Sequence, residues 1–189
     1  MMREHFVGCG KRIAVYDDLF SMNFRLTAYE FVTNSAFRLG WGDSIDFYKR
    51  NHMYLHSTYS PEDVANLKII DEIAASAAAS ELVGYAVNKV IVNLSTPADA
   101  NFVHTHAESK VLLYYVNLDW RDGWHGETLF YDEAGKEVVF ANAYTPGRLI
   151  AFDASIPHAI RPQSMIATPY RFTMAIILNK AVGYQENIK

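Results

Sequence analysis

Asn101-Phe102-Val103-His104-Thr105-His106, with Val111-Leu112-Leu113-Tyr114-Tyr115-Val116-Asn117 shortly after it, is the stretch on which the reading of this chain turns. Both segments are apolar and β-branched enough to read as strands, Val103–His106 and Val111–Asn117. In an extended chain, residues at i and i+2 face the same way, so His104 and His106 share one face while Thr105 takes the other. Further on, Pro157-His158 offers a third imidazole in a β-like, apolar setting. Imidazole suits iron, copper, zinc and nickel, and a catalytic metal site keeps positions open beyond three protein ligands. Arg171, on a late strand, is a cation placed to hold an anionic co-substrate beside such a metal.

Working outward, the same texture extends from Tyr85 to Leu178. Tyr85–Leu94, Thr128–Tyr131, Val138–Phe140, Arg148–Phe152, His158–Ile160 and Arg171–Leu178 read as further short strands. Gly, Pro, Asp and Asn turns separate them, the pattern of a sandwich or barrel. Upstream, Ile13–Tyr16 is a short strand and Asp17-Asp18 a turn. Phe20, Phe24, Ala28, Phe31 and Val32 fall at helical spacing. Ser44–Tyr59 shows no period and reads as loop, over the mouth of the barrel. Ser60-Pro61-Glu62-Asp63 is a helix start: Ser60 as N-cap, Pro61 at the first helical position, and Asp63 reaching back. The helix it opens should run to about Ser80 on an apolar face of Val64, Leu67, Ile70, Ala74 and Ala77. The expected class is therefore α+β, mainly β. It is a single domain with helical support and a lid over 1–82, a catalytic core over 83–180 and a tail over 181–189.

Bulk properties narrow the function. At 189 residues, 50% hydrophobic and 14% aromatic, the chain can bury a core without staples. A net charge of −4 without clustered Lys and Arg argues against a grip on long nucleic acid. One cysteine, Cys9, excludes an internal disulfide framework and suits a reducing cytoplasm. No apolar run is long enough for a membrane span, and Met1–Gly10 lacks a leader's apolar core.

The segments His104-Thr105-His106, Leu113–Trp120, Gly126-Glu127-Thr128-Leu129-Phe130, Pro146–Asp153, Pro157-His158 and Tyr170-Arg171-Phe172-Thr173, in this order, resemble the iron(II)/2-oxoglutarate dioxygenases, in particular their prolyl-hydroxylase-like branch. The resemblance implies a double-stranded β-helix (the jelly roll of the cupins), with Fe(II), 2-oxoglutarate as small-molecule co-substrate, and O2. It maps the metal ligands to His104, His106 and His158. It maps the arginine that grips the keto acid's C5 carboxylate to Arg171, with a phenol from Tyr115 beside it, while Tyr114 packs on the opposite face. A planar guanidinium matches a carboxylate with two parallel hydrogen bonds, the physical reason for arginine there. The family carries His-x-Asp where this chain has His104-Thr105-His106. With a third imidazole for the carboxylate, Fe(II) and the 2-oxoglutarate dianion make a formally neutral site.

His125, Asn93 and Glu127 are further candidates for contacts around the site. Each has a plainer reading: a turn for His125, cross-strand bonding for Asn93, a structural role for Glu127. Glu127 and Glu108 are the carboxylates that could replace the missing aspartate. His5, His52 and His56 read as surface or structural. The residues do not identify the prime substrate: a protein side chain, a peptide, a nucleotide and a small metabolite all stay open. Two other functions share these residues: a cupin-type three-histidine metalloenzyme without 2-oxoglutarate, and a non-enzymatic jelly-roll binding module.

Overall fold

In the computed structural model, residues 1–40, 55–97, 99, 102–167 and 170–183 are described, without the Cys9 side chain. Residues 44–54 of the expected loop, His52 within it, and residues 184–189 of the tail lie outside them. The strands in chain order are β1 Met2–Val7, β2 Lys11–Tyr16, β3 Leu55–Tyr59, β4 Tyr85–Ser95, β5 Lys110–Tyr115, β6 Thr128–Tyr131, β7 Val138–Asn142, β8 Leu149–Asp153, β9 His158–Ile160 and β10 Arg171–Lys180. They form two antiparallel sheets, β1-β2-β8-β5-β10-β4-β3 and β7-β6-β9.

Parity along β10 explains the two cores. Phe172, Met174, Ile176 and Leu178 face one side of the large sheet and pack with Tyr114, Val92 and the helices. Ala175 and Ile177 face the other side, with Leu113, Tyr115 and Phe152, against Phe130 of the small sheet. Phe130 meets Phe152 edge-on with centroids 5.0 Å apart, which closes the two sheets on each other. The chain is a mainly β jelly roll backed by helices on one face.

Helix α1, Met22–Thr33, starts where Ser21 Oγ accepts the Phe24 amide at 3.2 Å. Phe24, Ala28 and Val32 form its buried stripe at i, i+4, i+8. Phe20 and Phe24 seat on Tyr114, at 5.0 and 6.2 Å between centroids, so Tyr114 serves packing as expected.

Four expectations need correction. The helix expected over Ser60–Ser80 is three short pieces: 3-10 turns at Ala65–Leu67 and Ala79–Leu82 around α2, Ile69–Ala74. The capping pair does form, with Ser60 N–H on Asp63 Oδ2 at 2.9 Å and Asp63 N–H on Ser60 Oγ at 3.2 Å. Lys68, however, stands at φ 56°, which no helix passes through, and Ser76 Oγ takes the Ala78 amide at 3.1 Å and ends α2. Leu55–Tyr59, expected as loop, is edge strand β3 on β4; its polar His56, Ser57 and Thr58 hide the period. Residues 1–82 are not purely helical, because β1, β2 and β3 join the large sheet. Val103–His106 is no strand: only His104 bridges, to His158, through two backbone hydrogen bonds of 3.0 Å.

At the far end of the sheet Glu81 is 2% exposed among three donors. Arg12 Nη1 lies at 2.7 Å, the Tyr16 hydroxyl at 2.5 Å and Lys110 Nζ at 3.1 Å. Burial pushes its carboxyl up, but the Tyr16 and Arg12 hydrogen bonds and the Lys110 charge outweigh that and hold it below the usual glutamate range. A depressed carboxyl stabilises the fold above its unfolded value, and that contribution is lost as pH falls through the folded value. Glu81→Gln should therefore cost about 3 kcal/mol near neutral pH. Thermal melts of variant and wild type should converge as pH drops below about 4. A gap that stays constant from pH 7 to 3 would mean the carboxylate contributes no charge-dependent stability.

Candidate metal centre and its cavity

The loop before β5 and strand β9 bring the three histidines together. One side-chain nitrogen from each of His104, His106 and His158 lies within 4.8 Å of the others. Ring centroids stand 5.0 Å apart for His104–His106, 4.3 Å for His104–His158 and 5.2 Å for His106–His158. Backbone bonds fix this convergence: His104 and His158 exchange theirs, and His106 N–H donates to Ala154 O at 2.9 Å. The i, i+2 spacing thus delivers both rings to one place without a regular strand.

Ring orientation is set by carbonyls. His104 Nδ1 lies 3.0 Å from Phe102 O, and His158 Nδ1 lies 2.8 Å from Ile156 O. A carbonyl only accepts, so each Nδ1 carries the proton and each Nε2 keeps a lone pair for a ligand. Burial, reinforced by nearby His106, lowers His158 to about 3. Its ring is therefore neutral, the form that binds metals. Among the described residues no carboxylate belongs to this cluster. Glu108 pairs with Lys89 at 3.2 Å, and Glu127 lies 3.6 Å from Arg161 and 3.7 Å from His125. Three buried or half-buried imidazoles, two of them with oriented lone pairs, and no competing anion fit a borderline cation such as Fe(II).

The cluster opens on a cavity. Apolar Ile91, Val111, Leu113, Phe152 and Ala175 make one part of its wall, and Asn93, Thr128 and Thr173 supply polar atoms. Asn93 Nδ2 is 3.5 Å from Thr173 Oγ1, a long cross-strand contact.

Two residues before Thr173, and on the same face of β10, Arg171 is fully buried. Its Nε donates to Gly126 O at 2.8 Å. The guanidinium carbon sits 4.8 Å from the centre of the Tyr144 ring and 5.5 Å from that of Tyr115. Aromatic faces stabilise a cation held out of water. Gly126 is required for this seat: it stands at φ +83°, and a Cβ there would lie 3.1 Å from Arg171 Cδ.

The Tyr115 hydroxyl is 2.6 Å from Thr128 Oγ1 and takes the Asn142 amide at 3.1 Å, so it meets the cavity through Thr128. His125 occupies a turn at φ 57°, and its carbonyl accepts Trp120 Nε1 at 2.9 Å. His5 stacks on Phe140 at 4.0 Å between centroids, and His56 lies on edge strand β3; neither joins the cluster. Sequence reading passed over Thr128, Thr173, Asn142 and Arg148. The signal available for Thr173 was i, i+2 parity with Arg171 on the same strand; Thr128, Asn142 and Arg148 gave none.

No protein-family model matches this sequence. No curated protein matches it either. Among the described residues no helix is long and apolar enough to cross a membrane. Solved structures do match. A prolyl hydroxylase from Trichoplax adhaerens, in complex with a peptide fragment of the hypoxia inducible factor oxygen degradation domain, aligns at TM-score 0.63 and 14% identity over 92% of this chain and 87% of that one. The viral collagen prolyl hydroxylase of Paramecium Bursaria Chlorella virus-1 aligns at 0.62 and 14% over 94% and 95%. A 2OG-Fe(II) oxygenase family protein from Burkholderia pseudomallei aligns at 0.58 and 10% over 89% and 84%. Across nearly its whole length, this chain therefore has the fold of the prolyl hydroxylases and of a 2OG-Fe(II) oxygenase.

Proposed function

We propose that this chain is an Fe(II)/2-oxoglutarate-dependent oxygenase that hydroxylates a C–H bond of a protein side chain or small metabolite. The observation that carries the reading is the gathering of His104, His106 and His158 at a cavity in this fold, with a buried arginine on the adjoining strand. In it, the three histidines hold the metal through one nitrogen each. Arg171 binds the far carboxylate of the keto acid with its planar fork, and Gly126 O sets the plane of that fork. Bound iron, with 2-oxoglutarate and O2, supplies oxidative decarboxylation to succinate and CO2 and transfer of an oxygen atom to the substrate. The apolar wall of Ile91, Val111, Leu113 and Phe152 excludes water, so charges inside interact more strongly than in solvent.

The ligand set also favours one second reading. Three imidazoles with no carboxylate fit a cupin-type metalloenzyme that uses no keto acid. The two separate cleanly. Purified protein given Fe(II), ascorbate and O2 should release succinate only when 2-oxoglutarate is present. Metal-dependent oxygen uptake unaffected by 2-oxoglutarate, without succinate, would select the cupin reading. Absence of any tight Fe(II) or Mn(II) binding would leave only a binding module.

A further inference from the structure

A line of hydrogen bonds runs from the surface to the cavity wall, and its chemistry fixes which way its protons point. Arg148, 9% exposed, donates from Nε to Asp17 Oδ1 at 2.6 Å and from Nη2 to Asp17 Oδ2 at 3.3 Å. Its Nη1 lies 3.3 Å from Asn142 Oδ1 and 3.0 Å from Ala143 O. A guanidinium only donates, so the Asn142 amide must turn its oxygen to Arg148. A second constraint agrees, because Asn142 Nδ2 lies 3.1 Å from Ala143 O, which only accepts. The remaining hydrogen of that NH2 goes to the Tyr115 hydroxyl at 3.1 Å. Tyr115 Oη thus accepts from Asn142 and has its own proton to give.

That proton has two acceptors within reach, Thr128 Oγ1 at 2.6 Å and Asn142 O at 3.4 Å, and the nearer one takes it. Thr128 Oγ1 then accepts from Tyr115, and the hydrogen left on Thr128 is directed at the cavity that Thr128 lines. Each link is polarised by the one before it, starting from the Arg148 cation.

We infer that Arg148 and Asn142 are positioning residues which, through Tyr115, hold the Thr128 hydroxyl as a hydrogen-bond donor to a carboxylate in the cavity. The inference rests on the keto-acid reading and identifies which side chains, beyond the arginine, make the pocket selective for a dicarboxylate. Neither residue touches the ligand. Their contribution is the direction of two hydroxyl protons, so it matters only for ligands that bring an anionic group to Thr128.

The test is calorimetric binding of 2-oxoglutarate and of 2-oxobutyrate, which lacks the far carboxylate, to the full chain loaded with Mn(II). Asn142→Leu breaks the line without changing charge, and Asn142→Ala does so with less bulk. Asn142→Asp keeps the size but accepts from both neighbours, drawing the Tyr115 proton away and turning the Thr128 proton back toward Tyr115. All three should weaken 2-oxoglutarate about tenfold. Binding of 2-oxobutyrate should stay within about twofold, since no carboxylate of that ligand reaches Thr128. Weakening by the aspartate alone would be charge repulsion and would overturn the proposal. Equal weakening of both ligands would make Asn142 merely structural and would overturn it as well. Unchanged 2-oxoglutarate binding in the folded variants would overturn it too, while leaving the keto-acid reading intact. A wild type that does not distinguish the two ligands would remove that reading and this inference together.

Discussion

His158→Ala should lower Mn(II) affinity by at least about a hundredfold, since altering even the groups that orient a ligand costs ten- to a hundredfold. Of the three proposed ligands, His158 is the most firmly placed by the fold. It sits on β9 paired to β6, its ring is 6% exposed, and Ile156 O holds Nδ1 at 2.8 Å so that Nε2 faces the cluster. Removing it leaves two ligands, His104 and His106, from a single loop. The ring also packs on Phe152 at 4.9 Å between centroids, so alanine leaves a void. His158→Gln, which fills much of that space, guards against mistaking lost packing for lost coordination. Calorimetric titration with Mn(II), alongside thermal melts, separates the two. If both variants bind Mn(II) like the wild type while remaining folded, His158 is not a ligand.

Arg171 should govern the keto acid in the same way, and should leave the metal alone. Truncating one partner of a buried charge pair costs about 2–5 kcal/mol, so Arg171→Met should weaken 2-oxoglutarate at least thirtyfold in the Mn(II)-loaded protein. Arg171→Lys keeps the charge but not the fork, and should fall between methionine and wild type. Mn(II) affinity measured without keto acid should change little, because Arg171 contacts Gly126, Tyr115 and Tyr144 and belongs to no ligand group. A loss of Mn(II) binding equal to the loss of 2-oxoglutarate binding would mean that the substitution had disordered the end of β10 instead.

What the sequence disclosed depended on how locally each feature is encoded. Strands β6 and β9 fall on the residues where pattern and turn signals place them, because both are short and follow closely on a Gly or Pro. His104 and His106 were legible because i, i+2 parity survives in an irregular loop as well as in a strand, and His158 because it follows Pro157 at the start of an apolar segment. Edge strands were harder. β1 pairs on one side only and keeps Arg3, Glu4 and His5 among its residues, so its pattern does not rise above that of a polar terminus. The long helix failed at Lys68, whose left-handed conformation no propensity reveals. The Asp17–Arg148–Asn142–Tyr115–Thr128 line was invisible for a different reason. It joins the turn after β2, the starts of β8 and β6, the end of β7 and the end of β5, and only the closed sheets bring those together.

A crystal structure of the full chain with Mn(II) and 2-oxoglutarate tests the central claim most directly. The account predicts one metal bound by a single nitrogen from each of His104, His106 and His158 at about 2.1 Å. It also predicts the C5 carboxylate against the Arg171 guanidinium. A metal that leaves His106 uncoordinated, or a keto acid whose far carboxylate lies away from Arg171, would contradict it.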